Sequence, residues 1–199
     1  MRLIGAIIAG GANSRFGGEP KGLHTVGGRR IIDRVADALR SVASDLLLIS
    51  GAADADRWLP GVPIVRDTWQ KRGSLVGIHA ALKHAAQPIL LCAWDMPFVS
   101  SSLLSLIRDR AARSEYAVIP ESDSGLEPFC ATYTPACLPA IENALAADDL
   151  KLTNLLARLP SYDRIAVEEV RSVGDPARLF FNVNAPPDLA RAEQLATQE

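Results

Sequence analysis

The sequence lacks an excess of basic residues. It carries 21 lysines and arginines against 23 aspartates and glutamates, which gives a net charge of −2. A surface that binds nucleic acid usually needs a clear basic excess, so this balance argues against a nucleic-acid partner. Long apolar runs are also missing, because none approaches the roughly 20 residues that a membrane-spanning helix requires.

We also do not expect the first residues to be a signal peptide. The chain starts MRLIGAIIAGGA, but the apolar part is short and charged residues follow it closely at Arg15, Glu19 and Lys21. This arrangement does not fit a cleavage region, so we expect the first apolar run to be a core strand.

Cysteine is scarce. The chain has three cysteines, an odd number, and they form no CxxC pair: Cys92, Cys130 and Cys137. This pattern argues against a disulfide framework and against a zinc site. It is typical of a reduced protein, and we expect a cytoplasmic location.

The apolar residues that are present alternate between strand-like runs and helical spacing. A length of 199 residues with 48% apolar residues predicts a single domain, 1–199, with a full core. The pattern predicts strands at 3–8, 46–50, 62–65, 88–94, 116–120, 128–133, 164–170 and 180–183. It predicts helices at 29–42, 74–85, 100–112, 135–159 and 187–196. Such alternation indicates an α/β fold with a mostly parallel sheet and helices on both faces.

The segment after the first strand, IAGGANSRFGGEPKGL, is rich in glycine. Its glycines fit neither the GxGxxG spacing nor the P-loop pattern, because Glu19 follows Gly18. Free N–H groups in such a loop bind anions, and Arg15 and Lys21 could both contact phosphate oxygens. The segment suits a nucleoside triphosphate. The alternative is a plain strand–helix connection whose charges are solvated.

Two carboxylates follow predicted strands. Asp67 comes after the third strand, and Asp95 follows the most apolar one. Ligands bind at the carboxyl ends of such strands, and Mg²⁺ typically takes one or two carboxylates plus substrate phosphates. The alternative is that each aspartate serves a turn or a helix cap, as Asp95 could do just before Pro97.

Five segments in order resemble the molybdenum cofactor guanylyltransferase family. They are IAGGANSRFGGEPKGL, GSLVGI (73–78), CAWDMPF (92–98), EPFCATY (127–133) and FNVNAPPDL (181–189). The resemblance implies a three-layer α/β/α Rossmann-like fold. It also implies a nucleotidyltransferase that uses Mg²⁺ to transfer GMP from GTP to the phosphate of molybdenum-molybdopterin, releasing pyrophosphate. Proteins that deliver or receive the cofactor are the expected partners.

The resemblance also implies roles for particular residues. Ile8, Ala9, Gly10 and Gly11 would line the guanine and ribose, Arg15 and Lys21 would hold the triphosphate, Asp67 would lie in the nucleotide site, and Asp95 would bind Mg²⁺. Asn182 and Asn184 match an NVN signature near the reacting phosphates. Asn184 has an alternative role as the N-cap of the last helix.

Some positions depart from the family pattern. Ser50-Gly51-Ala52 replaces a usual asparagine, Ser74 stands where proline is usual, and Phe16 where methionine is usual. None of these departures touches a phosphate or metal position. His24, His79 and His84 are interpreted as helix-surface or loop residues, with a site role for His24 as the alternative because it lies close to Lys21 in the sequence.

Two other functions compete with guanylyl transfer. One is cytidylyl transfer to the same pterin, but such relatives usually carry alanine where this chain has Gly10, which favours GTP. The other is a nucleotide-binding adaptor of the same fold without catalysis. Arg15, Lys21 and Asp95 argue against the adaptor. The sequence contains no Ser–His–Asp or Cys–His constellation, so we expect positioning and charge neutralisation to provide the catalysis.

Overall fold

The structure is a computed structural model that describes residues 2–10, 16, 18–66 and 73–197. Its strands are β1 (Ile4–Ile8), β2 (Thr25–Val26), β3 (Arg29–Arg30), β4 (Asp45–Ile49), β5 (Ile64–Val65), β6 (Ile89–Ala93), β7 (Ala117–Ser122), β8 (Gly125–Leu126), β9 (Cys130–Tyr133) and β10 (Asp163–Ile165). Its α-helices are α1 (Ile31–Arg40), α2 (Ser74–Ala85), α3 (Ser101–Ala111), α4 (Leu138–Ala146), α5 (Leu152–Arg158), α6 (Val167–Arg171), α7 (Pro176–Leu179) and α8 (Pro186–Ala196). Lys21–Leu23, Ala55–Arg57 and Pro135–Cys137 form 3₁₀ turns.

The central sheet has the order β10-β7-β9-β6-β1-β4-β5 across the described residues, with β8 paired to β7. Neighbouring strands run parallel except at β9, which is antiparallel to both β6 and β7, and at β8, which is antiparallel to β7. Every residue of β1 and β6 is buried, as expected for central strands covered on both faces. The expected mostly parallel α/β fold is therefore confirmed.

The helices form two outer layers because the chain winds in both directions from β1. The step from β1 through α1 leads to β4 on one side, whereas the step from β5 through α2 leads back past β1 to β6. Right-handed crossovers place α1 and α2 on opposite faces of the sheet. Helix α3 packs with α1, and α4 packs with α2.

Local signals explain where several elements begin and end. Ser100 caps α3, because its Oγ accepts a hydrogen bond from the Leu103 N–H at 3.2 Å. The predicted start of the first helix at Arg29 is wrong, since Arg29 and Arg30 pair with residues 25–26 as a hairpin. Gly27 and Gly28 form its turn with φ values of 56° and 72°, which two-residue hairpin turns of this kind require.

Two of the predicted strands differ in the structure. The run 164–170 contains a strand only to Ile165 and then forms α6, whose first turn carries Glu168 and Glu169, a placement that favours helix. The run 180–183 is not a strand. Its Val183 N–H donates to the carbonyl of Asp95 at 2.9 Å, so the segment crosses the end of β6 instead of joining the sheet.

In the part of the chain that the structure describes, no helix combines the length and apolar character needed to cross a membrane.

Candidate active site

The carboxyl ends of three adjacent strands are level with one another. Ile8 at the end of β1 is in register with Ile49 of β4 and Ala93 of β6. The pairing continues past the strand ends, because the Trp94 N–H donates to the Ile8 carbonyl at 3.2 Å. Residues that follow these strands therefore meet at one edge, where ligands bind in open α/β sheets.

Three predicted site residues contact one another at this edge. The Lys21 ammonium donates hydrogen bonds to Asp95 Oδ2, with which it forms an ion pair, and to Asn184 Oδ1 at 3.1 Å. The side chains of Lys21 and Asp95 are only 17% and 7% exposed. The fold thus brings together residues that lie 74 and 163 positions apart in the sequence.

The second carboxylate oxygen of Asp95 is in a different situation. Asp95 Oδ1 is buried and has no hydrogen-bond partner among the described residues. Leaving an acceptor unsatisfied in a buried position costs about 1–3 kcal/mol, and more for a charged group. Asp95 is therefore not a simple turn residue, and its free oxygen is suited to a cation.

Asn184 is available to Lys21 because another residue caps the last helix. Ala185 is the N-cap of α8, and Asp188 Oδ2 accepts the N–H groups of Asn184 and Ala185, both at 2.9 Å. The alternative role of Asn184 as the N-cap is therefore wrong. The Asn182 side chain instead donates to the Phe180 carbonyl at 2.8 Å, and its place near the reacting phosphates stays a prediction.

A buried aromatic stack lies beneath this cluster. Trp94, directly before Asp95, stacks on Trp58 with ring centroids 5.0 Å apart and an interplanar angle of 23°. Gly22, directly after Lys21, lies against the Trp94 indole so closely that a Cβ there would be 2.5 Å from its Cε3 atom. The stack fixes the backbone on both sides of the ion pair. Sequence reasoning missed it, although a tryptophan at the end of an aliphatic strand was a visible signal.

The proposed base-binding segment is only partly described. Ile8 and Ala9 are buried, whereas Gly10 is exposed, would have no described atom within 4 Å of a Cβ if one were added, and does not adopt left-handed backbone geometry. Backbone conformation therefore does not explain why residue 10 is a glycine. The space left by the absence of a side chain is the better explanation. Gly11, Arg15 and Asp67 lie outside the described residues, and their roles stay predictions.

The histidines differ in their surroundings. His84 is exposed, as predicted, but His79 is buried within α2 with its Nε2 atom 3.2 Å from Glu142 Oε1, so its interpretation as a surface residue is wrong. His24 lies between these extremes. Its ring centroid is 4.7 Å from that of Phe16, and its buried Nε2 atom has no partner in the described structure.

The pKa values of ionisable groups around β9 are raised in the folded protein. Burial raises the pKa of Glu127, just before this strand. The pKa of Cys130 is raised well above its usual value by the neighbouring Cys92 thiol and by burial, and burial raises the pKa of Cys137 to about 11. Thiols with raised pKa values are poor nucleophiles, so these cysteines are core residues.

The donor set also limits the kind of metal site. Within residues 2–10, 16, 18–66 and 73–197, no group of three or more His, Cys, Asp or Glu side chains could hold a metal ion. A single carboxylate with a free oxygen fits a hard divalent cation that takes its other ligands from water and from substrate phosphates.

The comparisons with known proteins agree with this geometry. A family model described as the MobA-like NTP transferase domain matches residues 5–165. The chain belongs to this family. It is therefore a nucleotidyltransferase, and the resemblance predicted from the five segments is confirmed.

Similar proteins extend over nearly the whole chain. A probable molybdenum cofactor guanylyltransferase of Pelotomaculum thermopropionicum is 35% identical over 98% of this chain and 94% of its own length. A molybdenum cofactor guanylyltransferase of Desulfosudis oleivorans is 33% identical over 96% of this chain and 94% of its own. These relatives support a nucleotidyltransferase role in molybdenum cofactor biosynthesis.

A solved structure has the same fold. The molybdopterin-guanine dinucleotide biosynthesis protein A of Archaeoglobus fulgidus is 27% identical, with a TM-score of 0.82, and the match covers 98% of this chain and 100% of that protein. The Rossmann-like fold expected from the resemblance is thereby confirmed.

Proposed function

We propose that this protein transfers GMP from GTP to the phosphate of molybdenum-molybdopterin, giving the guanine dinucleotide cofactor and pyrophosphate. The observation that carries the proposal is the cluster of Lys21, Asp95 and Asn184 at the carboxyl edge, next to the end of β1, which Gly10 follows. The names of the relatives support GTP and molybdopterin as substrates.

Mg²⁺ is the metal we propose for the reaction, since nucleotidyltransferases of this kind generally use a divalent ion. Asp95 would hold it, because the buried Oδ1 has no partner in the described structure. When bound, the ion would neutralise charge on the α-phosphate and on the departing pyrophosphate.

The side chains of the protein would position two anionic substrates. An oxygen of the acceptor phosphate attacks the α-phosphorus of GTP, and the bond to the β-phosphate oxygen breaks as pyrophosphate leaves with the electron pair. Lys21, and Arg15 six positions earlier in the sequence, would contact the triphosphate and offset its charge. The acceptor phosphate has a second pKa near 6, so it attacks as a dianion without a general base.

Gly10 supports GTP over CTP. Its exposed position at the end of β1 leaves room for a purine edge and exposes peptide groups to it. A site that hydrogen-bonds a base rejects analogues that leave its groups unpaired. The comparisons give no support to the adaptor considered from the sequence, because the relatives carry transferase names.

The test is pyrophosphate release by the purified protein with each of the four nucleoside triphosphates, with and without molybdenum-molybdopterin. We expect release with GTP only when the pterin is present. The Asp95→Asn variant should release none, whereas Asp45→Asn, which changes an exposed carboxylate at the opposite end of the strands, should match wild type.

A further inference from the structure

The same carboxylate that would hold the metal is already paired with a cation of the protein. Asp95 Oδ2 accepts from the Lys21 ammonium, while Oδ1 faces no partner among the described residues. A divalent ion on Asp95 would lie beside the ammonium, and the two positive charges would repel each other in a site with little exposure to water. Metal and lysine therefore compete for one carboxylate.

We propose that Lys21 is a counter-ion that blocks Asp95 against free metal and leaves it only when a nucleoside triphosphate provides other oxygens for the ammonium. This inference rests on the proposed function, because it assigns regulation to the same site. Metal and triphosphate then bind as a coupled pair, and metal alone binds weakly.

The geometry allows this exchange without movement of the backbone. Lys21 is one residue from Gly22, Asp95 is one residue from Trp94, and Gly22 and Trp94 are in direct contact. Because the indole also stacks on Trp58, the chain on both sides of the ion pair is fixed. Only the long lysine side chain has to turn, and Asn184 Oδ1 at 3.1 Å offers it a second acceptor inside the cluster.

Charge determines which ligand can release the lysine. The ion pair of Lys21 and Asp95 has no net charge. A metal ion that binds alone must therefore displace an ammonium that has no better acceptor than the Asp95 carboxylate. A triphosphate brings several negative charges and receives the ammonium directly. Couplings between two ligands are typically about 5- to 150-fold in affinity, and we expect Lys21 to weaken binding of free metal within that range.

The experiment measures Mn²⁺ binding by calorimetry and electron paramagnetic resonance in the absence of any nucleotide. The variants are Lys21→Met, Asp95→Asn, the double variant, and Lys83→Met as a matched control on an exposed lysine of α2. We expect Lys21→Met to bind Mn²⁺ at least about fivefold more tightly than wild type. Lys83→Met should be unchanged, and both variants that carry Asp95→Asn should lose the site.

Mn²⁺ affinity that is equal or weaker in Lys21→Met would overturn the proposal. Lys21→Gln, also uncharged, takes its place if the methionine variant does not fold, and Lys21→Arg, which keeps the charge, should retain the weak binding of wild type. The titrations contain neither GTP nor pterin, so their outcome is separate from the pyrophosphate assay. Wild-type protein that is inactive in that assay would refute the proposed function, whereas unaltered metal affinity in an active protein would refute only the competition.

Discussion

A methyl group added at Gly22 tests whether the aromatic stack positions Lys21. An alanine Cβ would lie 2.5 and 2.7 Å from two atoms of the Trp94 indole and 3.0 Å from the Trp94 carbonyl oxygen. The indole cannot turn away easily, because it is 2% exposed and stacked on Trp58. The turn at Lys21–Leu23 must therefore shift.

The size of the effect follows from this geometry. Overpacking in a dense core costs about 1–3 kcal/mol, and a clash with both a rigid ring and a backbone atom places Gly22→Ala in the upper half of that range. Activity should fall further than stability suggests, because a displacement of about 1 Å in a reacting group can cost on the order of 100-fold in rate.

Urea unfolding and kcat/KM for GTP measure the two effects separately. Gly51→Ala is the matched control, because Gly51 has no described atom within 4 Å of a Cβ, has no left-handed φ and lies at the same edge after β4. We expect its stability to stay within about 1 kcal/mol of wild type. A Gly22→Ala protein that unfolds within about 0.5 kcal/mol of wild type and keeps its activity would refute the role of the stack.

Three further substitutions address binding, base choice and pH. Lys21→Ala should weaken GTP binding by about 1.5–3 kcal/mol and guanosine binding much less, since only the triphosphate offers charged acceptors. If calorimetry shows equal losses of binding free energy for GTP and guanosine, the role of Lys21 is structural. Gly10→Ala should lower kcat/KM for GTP more than for CTP, and parallel losses would argue against base selection. Burial raises the pKa of Glu127 above its ordinary 4.5, so the folded protein holds this proton more tightly than the unfolded chain. Glu127 therefore favours folding below its unfolded pKa, and this contribution is lost as the pH rises through the folded pKa. Glu127→Gln should flatten the pH dependence of the unfolding free energy between the unfolded and folded pKa values of Glu127. The variant should also be more stable than wild type at pH 7. An unchanged pH profile would contradict this.

Much of the fold could be predicted because its signals are local. The apolar runs of β1 and β6 and the helical spacing of α2 and α3 depend on periodicity within a few residues, and the structure places them within one or two residues of the predicted bounds. The sheet order and the antiparallel direction of β9 depend on pairing between distant segments, which periodicity does not encode.

The residue types of the site could be predicted from the sequence, but the contacts between them could not. A lysine and an aspartate after glycine-rich and apolar segments indicated phosphate and metal chemistry. The ion pair, however, joins the 3₁₀ turn that begins at Lys21 to Asp95, which follows β6, and these two segments are far apart in the sequence. A carboxylate at a strand end is also expected to be exposed, whereas Asp95 is buried, and its backbone carbonyl accepts a hydrogen bond from the Val183 N–H. Asn184 matched a capping position by sequence, and only the side chain of Asp188 four residues later shows that it is free for Lys21.

The most direct test of the account is pyrophosphate release from GTP in the presence of molybdenum-molybdopterin and Mg²⁺, compared between wild type and Asp95→Asn. Wild type should release pyrophosphate steadily and form the guanine dinucleotide, with CTP far less effective, and the variant should form neither product. Release that is absent in wild type, or undiminished in Asp95→Asn, would contradict it.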